Sequence, residues 1–308
     1  MFPLNREQIE NLNEEDLETL CYLDSEGLFP GINENFAEYK TRLLKIYDDI
    51  AHINSEINTK KVICIDNKIK IKAEDQLSED KYIKPNLELT QKYSFRINWI
   101  AAFFHRNVGL LTGAYNLTFE SEFSCILISK KFKCKGRWLI YSLQEIITHE
   151  LCHAARVPIK DKHLEEFFAY SLSTSPIRRE LGNCFRNPLD SFLLLLPILL
   201  LFLVQSYKIY FFNELNSAFF WILIFVYPLF LVIRNKTAVR IYKKAENYLN
   251  KSGVSIQDIP AILFRCNYDE IKKIAGFHSA SSESEEWFSE RINSEIRWKI
   301  ISKRFKLR

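Results

Sequence analysis

The chain has 308 residues, 47% of them apolar, and its 42 Lys and Arg nearly balance 38 Asp and Glu. This length and apolar content allow one or two domains with a sizeable core, and 24 Phe, 14 Tyr and 5 Trp exclude a mainly disordered chain. Only 8 Gly and 9 Pro exclude a collagen-like or linker-like chain and favour a helix-rich fold. The net charge of +4 does not indicate nucleic-acid binding, and we expect no such partner.

The seven cysteines are an odd number, without regular spacing and without a CxxC pair. In a chain of this length they predict a reducing compartment rather than a disulfide framework or a thiolate zinc site. The start of the chain is acidic and polar, so we expect no cleaved secretory signal.

The first half of the chain is expected to combine helices with a small β region. Apolar residues recur at helical spacing in residues 1–55, which glycine and proline at 27–31 divide in two. Residues 61–72 predict a β-hairpin and residues 123–129 a strand. Three further helices are expected: over 138–157 with Ile140 on its buried face, from an N-cap at Asp161 to before Pro176, and from Ser175 to Gly182.

Residues 149–153 read His-Glu-Leu-Cys-His, an HExxH motif. Two histidines at positions i and i+4 project from the same side of a helix, where two imidazoles can share one zinc ion. Glu150, next to the first histidine, is then placed to act on the attacking water as a general base. Cys152 points away from the His149 and His153 face and is expected to be a packed apolar residue.

A third zinc ligand is expected from a separate element, because a catalytic zinc usually has three protein ligands and a water. The next helical segment begins HLEEFFAYSL and offers Glu165 and Glu166. Residues 144–170 thereby resemble the gluzincin class of zinc metallopeptidases, in which HExxH is followed by a glutamate on a second helix. The resemblance implies Zn²⁺ as the cofactor. In that class a small residue commonly follows the ligand glutamate three positions on, and Ala169 stands there after Glu166, so the resemblance implies Glu166 over Glu165 as the ligand.

The spacing departs from the gluzincin pattern, because His153 and Glu166 are closer in sequence than is common in that class. A tight turn can still bring the second helix back beside the first. The metzincin pattern is not met, since His163 follows without the glycine turn that this pattern needs. We therefore expect His163 at the surface or behind the ligands.

Arg156 and Tyr170 are further candidates for the site. Arg156 lies seven positions after His149 on the same helix face and is placed to pair with Glu165 or to bind a substrate carboxylate. The alternative for Arg156 is a surface salt bridge. Tyr170, one turn after Glu166, is placed to donate a hydrogen bond to an oxyanion, although such a tyrosine more often packs in a core.

Two uncharged apolar runs, at about 190–208 and 215–233, are each close to the length that crosses a bilayer. Their apolar residues surround the whole helix, which favours membrane helices over a hairpin buried in a soluble core. Cations flank the outer ends of the two runs, whereas the connection contains only Lys208, so both termini are expected in the cytoplasm.

Beyond the runs, residues 237–308 are expected to be helical, with a capping box at Ser282 and Glu285. The basic residues from Arg291 to Arg308 are expected either on anionic lipid or on a solvated helix face.

These patterns predict a mostly helical α+β protein in three parts: an N-terminal segment with a zincin-like catalytic domain (1–187), a transmembrane hairpin (188–234) and a helical, basic C-terminal region (235–308). The predicted function is that of a membrane-anchored zinc metalloprotease with a cytoplasmic active site. Its expected partners are a peptide or protein substrate, paired along the strand at 123–129 as a sheet edge, and the lipid bilayer. Two alternatives are open: a non-enzymatic membrane adaptor with a structural or vestigial metal site, and another zinc hydrolase such as an amidase or deformylase.

Overall fold

The computed structural model describes residues 2–65, 69–106, 108–109, 113–118, 124–211, 217–277 and 282–307. The N-terminal part is helical, with α1 (Arg6–Glu10), α2 (Leu17–Ser25) and α3 (Phe36–Lys60). Asn5 and Asn35 begin the first and third helices with capping boxes, which satisfy free backbone N–H groups. The predicted break at 27–31 is confirmed, and Gly27 turns the chain there at a φ of 78°.

The predicted hairpin at 61–72 is confirmed as β1 (Val62–Ile65) and β2 (Ile69–Lys72), with Val62 opposite Lys72. Its turn lies outside the described residues. After α4 (Asp80–Tyr93), a second sheet is built from β3 (Ala102–His105), β4 (Ala114–Thr118) and β5 (Ser124–Ser129). Phe123, the first residue of the predicted strand at 123–129, is outside the described residues.

The strand that the sequence predicts as a sheet edge is in fact central. The order of the three strands is β3-β5-β4, with β5 parallel to β3 and antiparallel to β4. Every residue of β5 is buried, so an extended substrate cannot pair with it. Within the described part of the chain, β4 is the edge strand that faces the HExxH helix.

The helix predicted over 138–157 begins later than expected. After α5 (Lys131–Lys135), the short strands β6 (Arg137–Trp138) and β7 (Tyr141–Ser142) form a tight hairpin, and α6 (Leu143–Arg156) follows. Leu139 adopts a left-handed conformation with φ of 51°, and Ile140 is 72% exposed, so its predicted place on the buried face is wrong. Ser142 begins α6 instead, since its side chain accepts a hydrogen bond from the backbone of Glu145.

The segment after α6 turns tightly through a 3-10 turn at Val157–Ile159 and leads into α7 (Glu165–Tyr170) and α8 (Pro176–Leu181). Asp161 is not the N-cap of α7, because its carboxylate instead accepts the backbone N–H groups of His163 and Leu164 ahead of the helix. The helix therefore starts at Glu165, and it ends at Tyr170, earlier than the predicted limit before Pro176.

Two long apolar helices follow, α9 (Pro188–Phe211) and α10 (Ala218–Lys251), and both are long and apolar enough to span a membrane. Only 17% and 11% of their most apolar windows are buried, so neither is the core helix of a soluble domain. The connection between them is outside the described residues from 212 to 216. The second helix continues beyond the predicted span at about 215–233, without a break, to Lys251.

The C-terminal region consists of α11 (Ile259–Phe264), α12 (Tyr268–Gly276), α13 (Ser282–Ser294) and α14 (Ile296–Phe305). Ser282 is the first residue of α13, rather than its cap. The last helix packs on α2, and one continuous hydrophobic core extends from Phe2 to Leu307. Three cations expected on lipid or solvent form ion pairs within the protein instead: Arg297 with Glu270, Lys299 with Glu14, and Arg304 with Asp24.

Candidate metal centre

The helix α6 places His149 and His153 on one face because its other face is fixed in the core. Ile147, Leu151 and Cys152 are fully buried, as expected for Cys152, and anchor the helix against the sheet and α4. The two histidine rings lie one turn apart, with centroids 4.6 Å from each other and planes at 80°. Both side chains are partly exposed and face a cleft.

The short helix α7 carries Glu166 to the same point. Phe168 of this helix is fully buried, and its backbone carbonyl accepts a hydrogen bond of 2.8 Å from the hydroxyl of Tyr93 in α4. The link between α6 and α7 is tight, since Pro158 and Ile159 in the 3-10 turn are also buried. The short spacing between His153 and Glu166 is thus accommodated by a compact turn.

His149, His153 and Glu166 form a group that could hold a metal ion. Nε2 of His149 and Nε2 of His153 are 3.0 Å apart, and the carboxylate of Glu166 lies 3.6 Å from the first and 3.5 Å from the second. Ligand atoms about 2.0–2.1 Å from a tetrahedral zinc lie about 3.3–3.4 Å from one another. The three observed separations therefore suit one small tetrahedral ion.

Glu165 has different contacts from its neighbour. One of its oxygens lies 3.1 Å from Nδ1 of His153, and the other accepts a hydrogen bond of 2.8 Å from Nε of Arg156. Arg156 has no exposed side-chain surface and also pairs with Asp161 at 3.1 Å. A carboxylate on the outer nitrogen of a histidine fixes its tautomer and directs Nε2 toward the centre of the group. Since Arg156 is buried, a substrate carboxylate cannot reach it.

Glu150 lies beside the two histidines and is held by the edge strand. Nδ2 of Asn116 in β4 donates to Oε2 of Glu150 and to its backbone carbonyl, both at 2.9 Å. The amide of Asn116 thus occupies Oε2 and leaves Oε1 as the other carboxylate oxygen. Oδ1 of Asn116 is buried and has no hydrogen-bond partner among the described residues. No local pattern in the sequence identified Asn116, which is a single amide in a five-residue strand.

Burial and neighbouring charges change the pKa values of the site. Burial raises the pKa of Glu150 to about 7. Burial acts to lower the pKa of His153, but its hydrogen bond to Glu165 and the nearby carboxylates raise it to about 9. Burial and the charge of His153 lower the pKa of His149. Burial acts to raise the pKa of Glu165, but Arg156 and His153 lower it, so a carboxylate charge persists beside the imidazoles and favours a bound cation.

An open cleft of about 560 Å³ gives access to this group. The three candidate metal ligands and Glu150 form one wall, and Tyr115 and Asn116 of β4 form another. A smaller cavity of about 170 Å³ lies next to His149 and Glu150, lined mainly by apolar atoms. Glu145 also lines this smaller cavity, and both of its carboxylate oxygens accept hydrogen bonds of 2.7 Å from Arg178. No motif in the sequence indicates this salt bridge.

Of the two remaining candidates, Tyr170 contacts the candidate metal group and His163 does not. The ring of Tyr170 packs on His149 with a centroid distance of 4.4 Å, and Tyr170 lines both cavities. His163 is more than half exposed and stacks on Tyr268 at 4.5 Å, so it belongs to the surface and not to the metal group. The predicted site residues other than His163 therefore surround one point between α6 and α7.

Comparison of the chain with family models, with curated proteins and with solved structures gives no match. The resemblance to gluzincins thus has no support beyond the motif itself. What can be inferred about function depends on the geometry of the described residues.

Proposed function

We propose that this protein is a membrane-anchored zinc metallopeptidase in which His149, His153 and Glu166 hold Zn²⁺. The observation that carries the proposal is the compact His/His/Glu triangle beside a buried glutamate, at the wall of an open cleft. A bound Zn²⁺ would polarise the scissile carbonyl and make a water more acidic. Because the triangle leaves its cleft side open, the group resembles a catalytic site more than a closed structural one.

Glu150 would act as the general base. Its Oε2 is occupied by the amide of Asn116, so Oε1 is the atom that would take the proton from the attacking water. The same oxygen would then deliver the proton to the leaving amine nitrogen. A pKa of about 7 suits both steps, since the carboxyl group gains and loses a proton readily near neutral pH.

The edge strand β4 would bind the substrate backbone. An extended peptide can add to an exposed sheet edge through main-chain hydrogen bonds. Ala114, Tyr115 and Asn116 of this strand line the cleft next to Glu150. The cavity of about 170 Å³ beside His149 would take one apolar substrate side chain.

The helices α9 and α10 would anchor the enzyme as a two-pass hairpin. Lys208 is the cation near the distal end of the hairpin, whereas Arg186, Arg234 and Lys236 lie at its proximal end. The positive-inside rule then places both termini and the cleft in the cytoplasm. The free cysteines of the described residues agree with a reducing compartment.

Two variants of the full-length protein test the proposal. E150Q should keep its zinc and lose hydrolysis of a fluorogenic random-sequence peptide mixture, while H149A should lose both, and E180Q on the exposed side of α8 is the matched control. Full hydrolysis by E150Q would refute the mechanism. A cobalt-substituted protein should change its visible spectrum when acetohydroxamate is added, because an open coordination position accepts it. An unchanged spectrum would favour the alternative of a non-enzymatic adaptor with a closed metal site.

A further inference from the structure

The mouth of the cleft is bordered by the segment that leads into the first apolar helix. Ile177 and Leu181 of α8 and Phe185 all line the cleft, and they are 70%, 44% and 41% exposed. Phe185 is followed within a few residues by Pro188, where α9 begins. Two polar residues, Arg186 and Asn187, separate Phe185 from the start of α9, so the apolar mouth of the cleft lies close in sequence to the apolar hairpin.

The turn of the β6–β7 hairpin adds to the same surface. Leu139 and Ile140 at its tip are 69% and 72% exposed. The backbone carbonyl of Ile140 accepts a hydrogen bond of 3.2 Å from Arg178, the residue that follows Ile177 in α8. This contact holds the hairpin tip beside α8. We call the exposed apolar side chains of the hairpin tip, of α8, of the segment after it and of the first turn of α9 the rim: Leu139, Ile140, Ile177, Leu181, Phe185 and Leu189.

Exposed cations outnumber exposed acidic residues beside the rim in sequence. Lys135 and Arg137 precede the hairpin tip, and Arg179 lies two positions after Ile177, whereas Glu180 is the exposed acidic residue of α8. Cations beside exposed apolar side chains are typical of surfaces that enter the headgroup region of an anionic bilayer. An exposed apolar patch of this kind is uncommon on a protein surface that faces only water.

An ion pair joins α9 and α10 at the end of the hairpin where α9 begins. Asp190 in the first turn of α9 pairs with Arg234 of α10 at 2.7 Å. The uncharged stretches of both helices lie on one side of this pair, and the rim lies next to it in sequence, through Leu189 and Phe185. A bilayer that covers the apolar stretches would therefore reach the rim.

We infer that the rim lies in the interfacial layer of an anionic bilayer and that the cleft accepts juxtamembrane segments of other membrane-bound proteins. The inference rests on the proposed function, because it takes α9 and α10 as the membrane anchor. A peptide seated in the cleft contacts Leu181 and Phe185, which belong to the rim, so the cleavable bond lies close to the membrane surface. A substrate segment that lies a few residues from the substrate's own membrane span would reach the cleft while that span stays in the bilayer.

Tryptophan substitution with brominated lipids tests the position of the rim without using catalysis. The full-length protein is reconstituted in vesicles of phosphatidylcholine and phosphatidylglycerol, with or without bromine on the acyl chains. The rim variants are I140W and I177W. The control is I256W, a position equally exposed at 71% but beyond the end of α10, which extends about 25 Å past Arg234.

The fluorescence added by I140W and I177W should be lost in brominated vesicles, whereas that added by I256W should be kept. Equal quenching in all three variants, or none in the rim variants, would overturn the inference. The chain contains four other tryptophans, so the signal of Trp221 in α10 is taken as the difference between the parent protein and W221F, and this difference reports on the anchor. If Trp221 is quenched and the rim variants are not, the rim inference fails and the membrane anchor stands. If Trp221 is not quenched, the anchor fails as well.

A second measurement tests the substrate class. One quenched-fluorescence peptide that the enzyme cleaves is prepared free and with an N-terminal palmitoyl chain, and both forms are added to the same vesicles. The lipid-bound form should be cleaved at least about tenfold faster at equal bulk concentration, as expected when the peptide is confined near the site. I140E should reduce this ratio and leave cleavage of the free peptide unchanged, and I256E should change neither. Equal rates for the two peptides in the parent protein would refute the assigned substrate class.

Discussion

The single substitutions E165Q and E166Q test whether Glu166 is a metal ligand and Glu165 the residue that supports His153. Both substitutions keep the shape of the side chain and remove one negative charge. Glu166 lies 3.5–3.6 Å from the two Nε2 atoms, within the triangle that could hold an ion. Glu165 instead reaches the outer nitrogen of His153. The two variants therefore remove different parts of the same centre.

The expected magnitudes follow from these contacts. E165Q leaves all three ligands in place but weakens the support of His153 and the pairing with Arg156. Loss of such an outer-shell partner commonly weakens metal binding by about 10–100-fold, which is about 1.4–2.8 kcal/mol. E166Q leaves only two ligands, fewer than a catalytic zinc site normally has, so the zinc Kd should rise by more than about 100-fold.

Competition with a chromophoric zinc chelator measures both values on the full-length protein in detergent. Zinc content after dialysis gives an independent check, and E180Q on exposed α8 serves as the control for the loss of one carboxylate. A larger loss of affinity in E165Q than in E166Q would show that the roles of the two glutamates are reversed. Unchanged affinity in both would show that α7 does not contribute to a metal site.

Two further predictions concern residues that hold the centre in place. R156M should destabilise the protein by about 3–5 kcal/mol in urea unfolding followed by circular dichroism, because it leaves the buried carboxylate of Asp161 without its cation. R156M/D161N should recover part of this loss, and a double variant no more stable than R156M would contradict the explanation. N116A should keep zinc and lower peptide hydrolysis by about 10–150-fold, as expected for one hydrogen bond to a charged group worth about 1.5–3 kcal/mol. Unchanged hydrolysis in N116A would show that Asn116 does not position Glu150.

Local signals in the sequence account for most helices and for the hairpin at 61–72, where spacing and turn residues act over short distances. At the start of α6 two local signals disagree, the apolar spacing upstream of Leu143 and the capping signature at Ser142. Apolar residues continue upstream of Leu143 and extend the helical pattern to Trp138, but the left-handed Leu139 ends it there. The sequence Ser142 to Glu145 carries an S-x-x-E capping signature, which would have located the true start.

Pairing between distant segments could not be predicted in the same way. The central position of β5 depends on β3 and β4, which are only four and five residues long and carry no clear alternation. Asp161 matches the pattern of an N-cap, but its carboxylate accepts backbone N–H groups ahead of α7 and also pairs with Arg156 of α6. Arg304 in the basic C-terminal helix pairs with Asp24 at the other end of the chain. In each case a tertiary contact outweighs the local preference.

A set of contacts joins the apolar hairpin to the candidate metal group. Beyond its apolar stretch, α10 places the ring of Tyr242 against Phe167 of α7, with centroids 4.7 Å apart, next to Glu166. Arg156, which supports Glu165, also donates to the backbone carbonyl of Phe264 in α11. The helix that carries Glu166 is thus packed between α6 and the continuation of α10. Because tightly packed interiors transmit small displacements, we expect α10 to support the candidate metal group as a structural element and not as a flexible tether.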